Sequence, residues 1–212
     1  MSERRVKRVV RSRSRKTEAV PAGEGLARAL RDLVEGLRET ASPSMIIGGV
    51  AVIAHGVPRL TRDVDGTVVG AGTDLRALLA VLAKHSIVPR IDNAVDFASL
   101  NQVLLLRHAV AGVDVDLSLA WLPFELEAIA AAEFVTIHGV RVPLPRPEDL
   151  VIYKLVAWRP QDRQDVERLL ALHGDRMDLV RVRRFGLEIA AMLDDPERAD
   201  EIERLLREYS ER

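Results

Sequence analysis

The sequence predicts an α+β fold, in which a small mixed β-sheet with flanking helices is followed by a C-terminal helical bundle. In the first part, short β-branched or apolar runs alternate with segments whose apolar residues recur at helical spacing. Beyond a proline-rich stretch at 143–147, every segment shows helical spacing. We therefore divide the chain into a basic tail at 1–22, a mixed domain at 23–145 and a helical domain at 146–212.

Local patterns predict the individual elements. An amphipathic helix at 24–40 ends before Pro43, because proline disfavours helix in the residue that precedes it. The mixed domain then continues with a strand at 45–47, a helix at 50–55, a strand at 63–69, a helix at 73–85, strands at 102–109 and 113–119, a helix at 124–132 and a hairpin at 134–144. The helical domain is predicted to hold helices at 148–158, 162–173, 178–193 and 197–209. We expect Phe97, Trp121, Phe124 and Trp158 in the core.

Composition excludes several classes of site. The 212 residues contain no cysteine, so disulfides, thiol nucleophiles and zinc–cysteine centres are ruled out. No apolar run approaches the roughly 20 residues of a membrane span, and the basic N-terminus lacks the apolar stretch of a signal peptide. We expect a cytoplasmic protein with no membrane partner.

Charge is distributed unevenly along the chain. Residues 1–20 hold eight Lys or Arg and two Glu, a net charge of +6, which leaves 23 basic and 30 acidic residues in the remainder. The basic segment has no hydrophobic period, so we expect it to be disordered in isolation. It is either a solvated tail or a nonspecific contact to the phosphates of RNA or DNA.

Residues 45–69 hold the pattern that is most informative about function. The apolar run Met45-Ile46-Ile47 leads into Gly48-Gly49, and Asp63-Val64-Asp65 then opens a second strand. Glycines without a Cβ let backbone N–H groups approach a phosphate closely. A helix that begins at the glycines adds its positive N-terminal end. The pattern therefore predicts a phosphate-binding turn beside an acidic strand.

Asp63 and Asp65 are predicted to share one face of their strand, because side chains at i and i+2 project together. Neighbouring carboxylates repel unless a cation lies between them, and Mg²⁺ prefers such oxygen ligands together with substrate phosphates. A lone Asp-x-Asp is more often a solvated strand end. Its combination with a strand, a glycine pair and a helix favours a Mg²⁺ site, in which Mn²⁺ can substitute.

These motifs resemble the nucleotidyltransferases of the DNA polymerase β superfamily, whose signature is an apolar residue, Gly-Gly or Gly-Ser, a spacer and Asp-x-Asp. Within it the sequence is similar to the AbiEii-like group of type IV toxin–antitoxin systems, which typically adds a His-Gly and an Arg-x-Thr. Here these are His55-Gly56 and Arg59-Leu60-Thr61. The stretches at 123–125 and 143–170 match the group as well, so the resemblance covers roughly residues 45–170.

The resemblance implies a third carboxylate on an adjacent strand. The run at 112–117 supplies Asp114 and Asp116 on one face. Its spacing to the stretch at 123–125 favours Asp116 as the third metal ligand beside Asp63 and Asp65, with Asp114 as the reserve. An exposed strand that merely carries acids on its wet face is the alternative.

Further residues are assigned to the nucleotide. Lys154 can meet triphosphate charge, and Asp165 can orient Lys154 or contribute to the acceptor site; similar positions in the related toxins are regarded as active-site residues. The alternative for this pair is an ion-pair network between helices. Arg59 and Thr61 are expected near the nucleotide together with Gly48 and Gly49.

The expected activity is Mg²⁺-dependent transfer of a nucleoside monophosphate from a nucleoside triphosphate to an acceptor hydroxyl, with release of pyrophosphate. The resemblance allows a tRNA 3′ end, a protein or a small molecule as acceptor, and a cognate antitoxin as partner. Two other classes stay open. One is a noncatalytic member that binds a nucleotide or a partner, and the other is a nucleic-acid-binding module that uses the basic tail.

Overall fold

The computed structural model describes residues 22–210, so the predicted basic tail lies outside the described residues except for Ala22. The helices of the described part are α1 (Ala22–Glu39), α2 (Gly48–Ala54), α3 (Leu75–Lys84), α4 (Ala94–Asn101), α5 (Pro123–Ala130), α6 (Pro147–Ala157), α7 (Pro160–His173), α8 (Leu179–Met192) and α9 (Pro196–Ser210), with a short 3₁₀ turn at Gly174–Arg176. The strands are β1 (Ser44–Ile46), β2 (Asp63–Val69), β3 (Ile87–Pro89), β4 (Val103–His108), β5 (Val113–Ala120), β6 (Glu133–Ile137) and β7 (Val140–Leu144).

The main sheet is mixed. Within residues 22–210 it has five strands in the order β1-β2-β5-β4-β3, and β6 pairs with β7 in a separate hairpin. Strands β2 and β5 are parallel, whereas the other neighbours in the main sheet are antiparallel. The predicted α+β class, with a small mixed sheet and flanking helices, is confirmed.

The two faces of the main sheet have different surroundings. Helices α1 and α3 pack together, and α1 also contacts β2 and β5. On that side Leu33, Val64 and Leu117 are fully buried. Helices α2 and α5 approach β2, and α6 contacts both of them. Because strand side chains alternate, the residues flanking Val64 project to the face opposite α1.

The C-terminal helices form the predicted bundle. Helix α6 packs against α7 and α8, and α8 packs against α9. Leu155, Val166, Val182 and Ile202 are buried between them and belong to the same apolar cluster as the sheet residues. The bundle is therefore fixed to the sheet by shared core packing, and the boundary at 145 stays a prediction. None of the helices within 22–210 has the length and apolar character that a bilayer crossing requires.

Two features differ from the sequence analysis. No element is predicted for residues 86–101, where the structure has β3 and α4. Both are short, and α4 carries no strong apolar period in its sequence AVDFASLN, so neither gives a sequence signal. Trp121, predicted in the core, is 59% exposed because it lies in the turn between β5 and α5. Phe124 and Trp158 are buried as predicted, and Phe97 is half-buried.

Candidate functional site

Four carboxylates lie side by side where β2 and β5 begin. The parallel register places Asp63 opposite Asp114 and Asp65 opposite Asp116. Within each strand the two aspartates are separated by one buried valine, so both project to the same face of the sheet. The structure thus brings the three predicted metal ligands, and the reserve Asp114, to the same end of these two interior strands.

The glycine pair fits closely around Asp65. Gly48 has a φ of +61°, and a Cβ built on it would lie 1.8 Å from Asp65 Oδ2. Both facts require glycine. Residues with a side chain disfavour this positive φ, and Asp65 leaves no space for a Cβ. The N–H of Gly49 donates a hydrogen bond to Asp65, and the N–H of Ile47 donates to the Asp65 carbonyl at 2.9 Å. The turn therefore fixes the position of this carboxylate.

Thr61 connects the turn to the other aspartate of β2. A Cβ on Gly49 would lie 2.3 Å from Thr61 Oγ1, and that hydroxyl donates to Asp63 Oδ1 at 2.8 Å. Gly48, Gly49 and Thr61, which the sequence analysis assigns to nucleotide binding, thus surround the Asp63–Asp65 pair.

The carboxylates are close enough to repel one another. Burial, followed by the charges of Asp63 and Asp116, raises the pKa of Asp65 to about 6 against the opposing effects of Gly49 and Lys154. Burial is also the largest cause that raises the pKa of Asp116, assisted by Asp63 and Asp114 and opposed by Arg90. Burial and mutual repulsion thus both oppose ionisation of Asp65 and Asp116, and a bound cation would relieve the repulsion.

Arg90, which directly follows β3, places its positive charge beside two of these acids. Its Nη1 lies 3.1 Å from Asp114 Oδ2, and its Nη2 forms a hydrogen bond with Asp116 Oδ1. Arg107 lies 3.6 Å from the other oxygen of Asp114. Among residues 22–210, no group of three or more His, Asp or Glu side chains already stands in an arrangement that could hold a metal ion. Asp116 is engaged by Arg90.

Lys154 and Asp165 lie in a buried ion-pair network near Asp65. Lys154 Nζ lies 3.0 Å from Asp162 Oδ1 and 3.1 Å from Asp165 Oδ2. Arg59 Nη1 lies 2.6 Å from the same oxygen of Asp165. Lys154 is only 5% exposed, and both aspartates are almost fully buried. The network joins the segment before β2 to α6 and α7, and the positive charge of Lys154 lowers the pKa of Asp65.

Two arginines of this site are absent from the predicted site residues. Arg159 accompanies the network: its backbone N–H and Nε donate to Asp162 Oδ2 at 3.1 and 2.7 Å. Its side chain is 73% exposed, and Asp162 is the main cause of its raised pKa, with Asp65 and Asp63 contributing. The Asp at the third position of α7 is a capping signal that could have indicated Arg159. Arg90 had no such signal, since its place depends on β3.

Comparison with known proteins adds the family and the fold. The family described as "Nucleotidyltransferase of unknown function (DUF6036)" matches residues 26–212. The solution structure of the antibiotic-resistance factor ANT(2'')-Ia is 17% identical, covers 84% of this chain and 97% of its own, and superimposes with a TM-score of 0.56. The crystal structure of ANT(2'')-Ia in complex with adenylyl-2''-tobramycin is 18% identical, covers 78% and 97%, and gives a TM-score of 0.51.

At these identities the two structures show a common fold and nothing more. No curated protein matches the chain. The family match is of a different kind, because it extends from α1 to the last residue and includes the acidic strands, the glycine turn and the buried network. Over this length, the chain belongs to the family of nucleotidyltransferases of unknown function, DUF6036.

Proposed function

We propose that this nucleotidyltransferase is Mg²⁺-dependent and transfers a nucleoside monophosphate from a nucleoside triphosphate to an acceptor hydroxyl. The observation that carries the proposal is the parallel register of β2 and β5, which pairs Asp65 with Asp116 next to Asp63. Gly48 and Gly49 support it, because without a Cβ they let Asp65 and Thr61 lie directly against the turn.

The donor set fits a hard divalent cation. Burial first, and then the neighbouring carboxylates, raise the pKa of Asp65 and of Asp116, and a cation would be a counter-charge to these acids. Asp63, Asp65 and Asp116 would hold Mg²⁺, with Mn²⁺ as a substitute, and triphosphate oxygens would complete the ligand shell. The bound cation would supply neutralisation of the triphosphate charge.

The other steps belong to the chain's own residues. The acceptor oxygen attacks the α-phosphorus, the bond from that phosphorus to the β-phosphate oxygen breaks, and pyrophosphate leaves. Asp116, which lies beside the paired acids of β2, takes the proton of the acceptor hydroxyl. Arg159, which is exposed beside the acids, contacts the triphosphate.

The buried network positions this machinery. We assign positioning roles to Lys154 and Asp165, because both are buried and engaged with each other. Asp165 holds Arg59 at the nucleotide side of the network. Thr61 orients Asp63 through its hydroxyl hydrogen bond.

Three classes of acceptor are consistent with this site. The resemblance to the AbiEii-like group of the polymerase β superfamily suggests a toxin of a type IV pair, with a tRNA 3′ end or a protein as acceptor and an antitoxin as partner. The shared fold of ANT(2'')-Ia, whose complex contains adenylyl-2''-tobramycin, instead suggests a small molecule with a sugar hydroxyl.

One observation favours a second candidate, a noncatalytic nucleotide-binding protein. Arg90 already neutralises part of the charge of Asp114 and Asp116, as it would in a site that never holds a cation. The basic segment at 1–20 offers a nucleic-acid-binding role that is independent of this site.

Label transfer tests the proposal. The protein is incubated with each α-³²P nucleoside triphosphate, Mg²⁺ and, in separate reactions, total RNA, total protein or an aminoglycoside. Label that reaches one of them, and that is lost in Asp63→Ala/Asp65→Ala, establishes the activity and names the nucleotide and the acceptor class. No reaction with any nucleotide by folded protein would favour the noncatalytic candidate.

A further inference from the structure

Arg90 lies where it can reach two strands at once. Its backbone N–H donates to the carbonyl of Leu105 at 2.9 Å, and Leu105 is the register partner of Asp116. From this fixed position the guanidinium extends to β5, where one nitrogen lies 3.1 Å from Asp114 Oδ2 and the other contacts Asp116 Oδ1. A planar fork of this kind suits the simultaneous binding of two carboxylates.

The two carboxylates held by Arg90 are not equivalent. Asp114 has a second cationic partner, Arg107, at 3.6 Å. Asp116 is the register partner of Asp65 and feels the negative charge of Asp63. Asp114 therefore belongs to the arginine side of the cluster, whereas Asp116 lies between the arginine and the paired acids of β2.

A cation at Asp63 and Asp65 would compete with Arg90 for Asp116. Both bind carboxylate oxygens, and a divalent ion carries twice the charge of a guanidinium. Ligation through Oδ1 of Asp116 would replace the contact that this oxygen now makes with Arg90.

We propose that Arg90 is the built-in counter-ion of the metal-free site, and that it yields Asp116 to the incoming divalent cation while it stays on Asp114. This inference rests on the proposed function. It assigns Asp116 as the third ligand and Asp114 as the anchor that retains Arg90. Arg90 is then a positioning residue that makes cation binding weaker than the acids alone would make it.

Mn²⁺ affinity without nucleotide or turnover tests the inference, measured by the electron paramagnetic resonance of unbound Mn²⁺. Arg90→Gln removes the competitor, so binding is expected to tighten on the order of tenfold. Arg107→Gln is the matched control, since it removes a like charge from the same face but contacts only Asp114 among the four acids; the Mn²⁺ affinity of this variant should stay within about twofold. Unchanged or weaker binding in Arg90→Gln, or equal tightening in both variants, overturns the inference.

The same titration separates this inference from the proposed function. If wild type and Asp63→Asn/Asp65→Asn bind Mn²⁺ equally poorly, the proposed metal site itself fails. If wild type binds and Arg90→Gln binds no tighter, only the role of Arg90 fails. Should Arg90→Gln not fold, guanidinium proton signals of wild-type Arg90 are followed by nuclear magnetic resonance while Mg²⁺ is added. A shift that saturates with the cation is expected, and unchanged signals at saturation contradict the proposal.

Discussion

The carboxylate of Asp65 is subject both to burial and to the negative charges of Asp63 and Asp116. It is the acid that the glycine turn fixes in place, and its register partner is a third carboxylate. The Asp-x-Asp motif made Asp63 and Asp65 identifiable in the sequence, because alternation alone places them on one face. Arg90 was not identifiable, because its contact with Asp114 and Asp116 exists only through tertiary pairing of β3 with β4.

The raised pKa of Asp65 predicts that the stability of the metal-free protein falls as pH rises from about 4 to about 6. The folded pKa is about 6 against an ordinary value of 3.8, so in this window folded protein keeps a proton that the unfolded chain releases. Above pH 6 the unfolding free energy should be lower than below pH 4 by roughly 3 kcal/mol.

Urea unfolding at several pH values measures this effect. Asp65→Asn should remove that part of the slope, and saturating Mg²⁺ should offset the loss in the wild type by binding the folded state. A wild-type profile parallel to that of Asp65→Asn would contradict the assigned cause.

Gly48→Ala should weaken Mn²⁺ binding on the order of tenfold, because the new Cβ overlaps Asp65 Oδ2. Gly56→Ala is the matched control: Gly56 also has a positive φ, of +88°, but nothing lies within 4 Å of its built Cβ. Both variants should lose about 1 kcal/mol of stability from backbone strain. Gly48→Ala should lose more than this because of the overlap with Asp65, and only Gly48→Ala should lose metal affinity. Equal metal affinity in the two variants would show that the glycine turn does not position Asp65.

At the scale of elements, the junction of α6 and α7 connects the helical bundle to the segment before β2, close to the acidic ends of β2 and β5. Strong apolar periods made α1, α3, α8 and α9 predictable, with ends that differ from the prediction by a few residues. Strand β3 and helix α4 were not predicted, because segments of three and eight residues are too short to show a clear apolar period. The sequence spacing of Lys154 and Asp165 indicated an encounter between helices, but it did not indicate that their charges would be buried.

Lys154→Met should lower the unfolding free energy by about 3–5 kcal/mol, because it leaves Asp162 and Asp165 buried with less positive charge. Arg204→Met provides the comparison: Arg204 is largely exposed and paired with Glu201 and Glu208, so the change should stay within ~1 kcal/mol. Chemical denaturation measures both variants. A Lys154→Met protein as stable as Arg204→Met would argue that Lys154 has no structural role.

For the whole molecule, the described part and the basic segment are expected to act separately. Within residues 22–210 one apolar cluster extends from α1 to α9, so the fold does not depend on residues 1–20 for its core. Deleting residues 1–20 should leave Mn²⁺ affinity unchanged within about twofold, because long-range charge is screened in salt. Filter binding of RNA at two salt concentrations measures what the segment adds, and loss of metal binding on deletion would contradict its independence.

The central claim is that the paired carboxylates hold a divalent cation that carries the nucleotide. Calorimetric titration with nonhydrolysable analogues of the four nucleoside triphosphates tests it most directly, with and without Mg²⁺, in wild type and in Asp63→Asn/Asp65→Asn. We predict binding to the wild type that weakens at least about tenfold when Mg²⁺ is withheld or when the acids are replaced. Equal affinity in all four combinations, with both proteins folded, would contradict the claim.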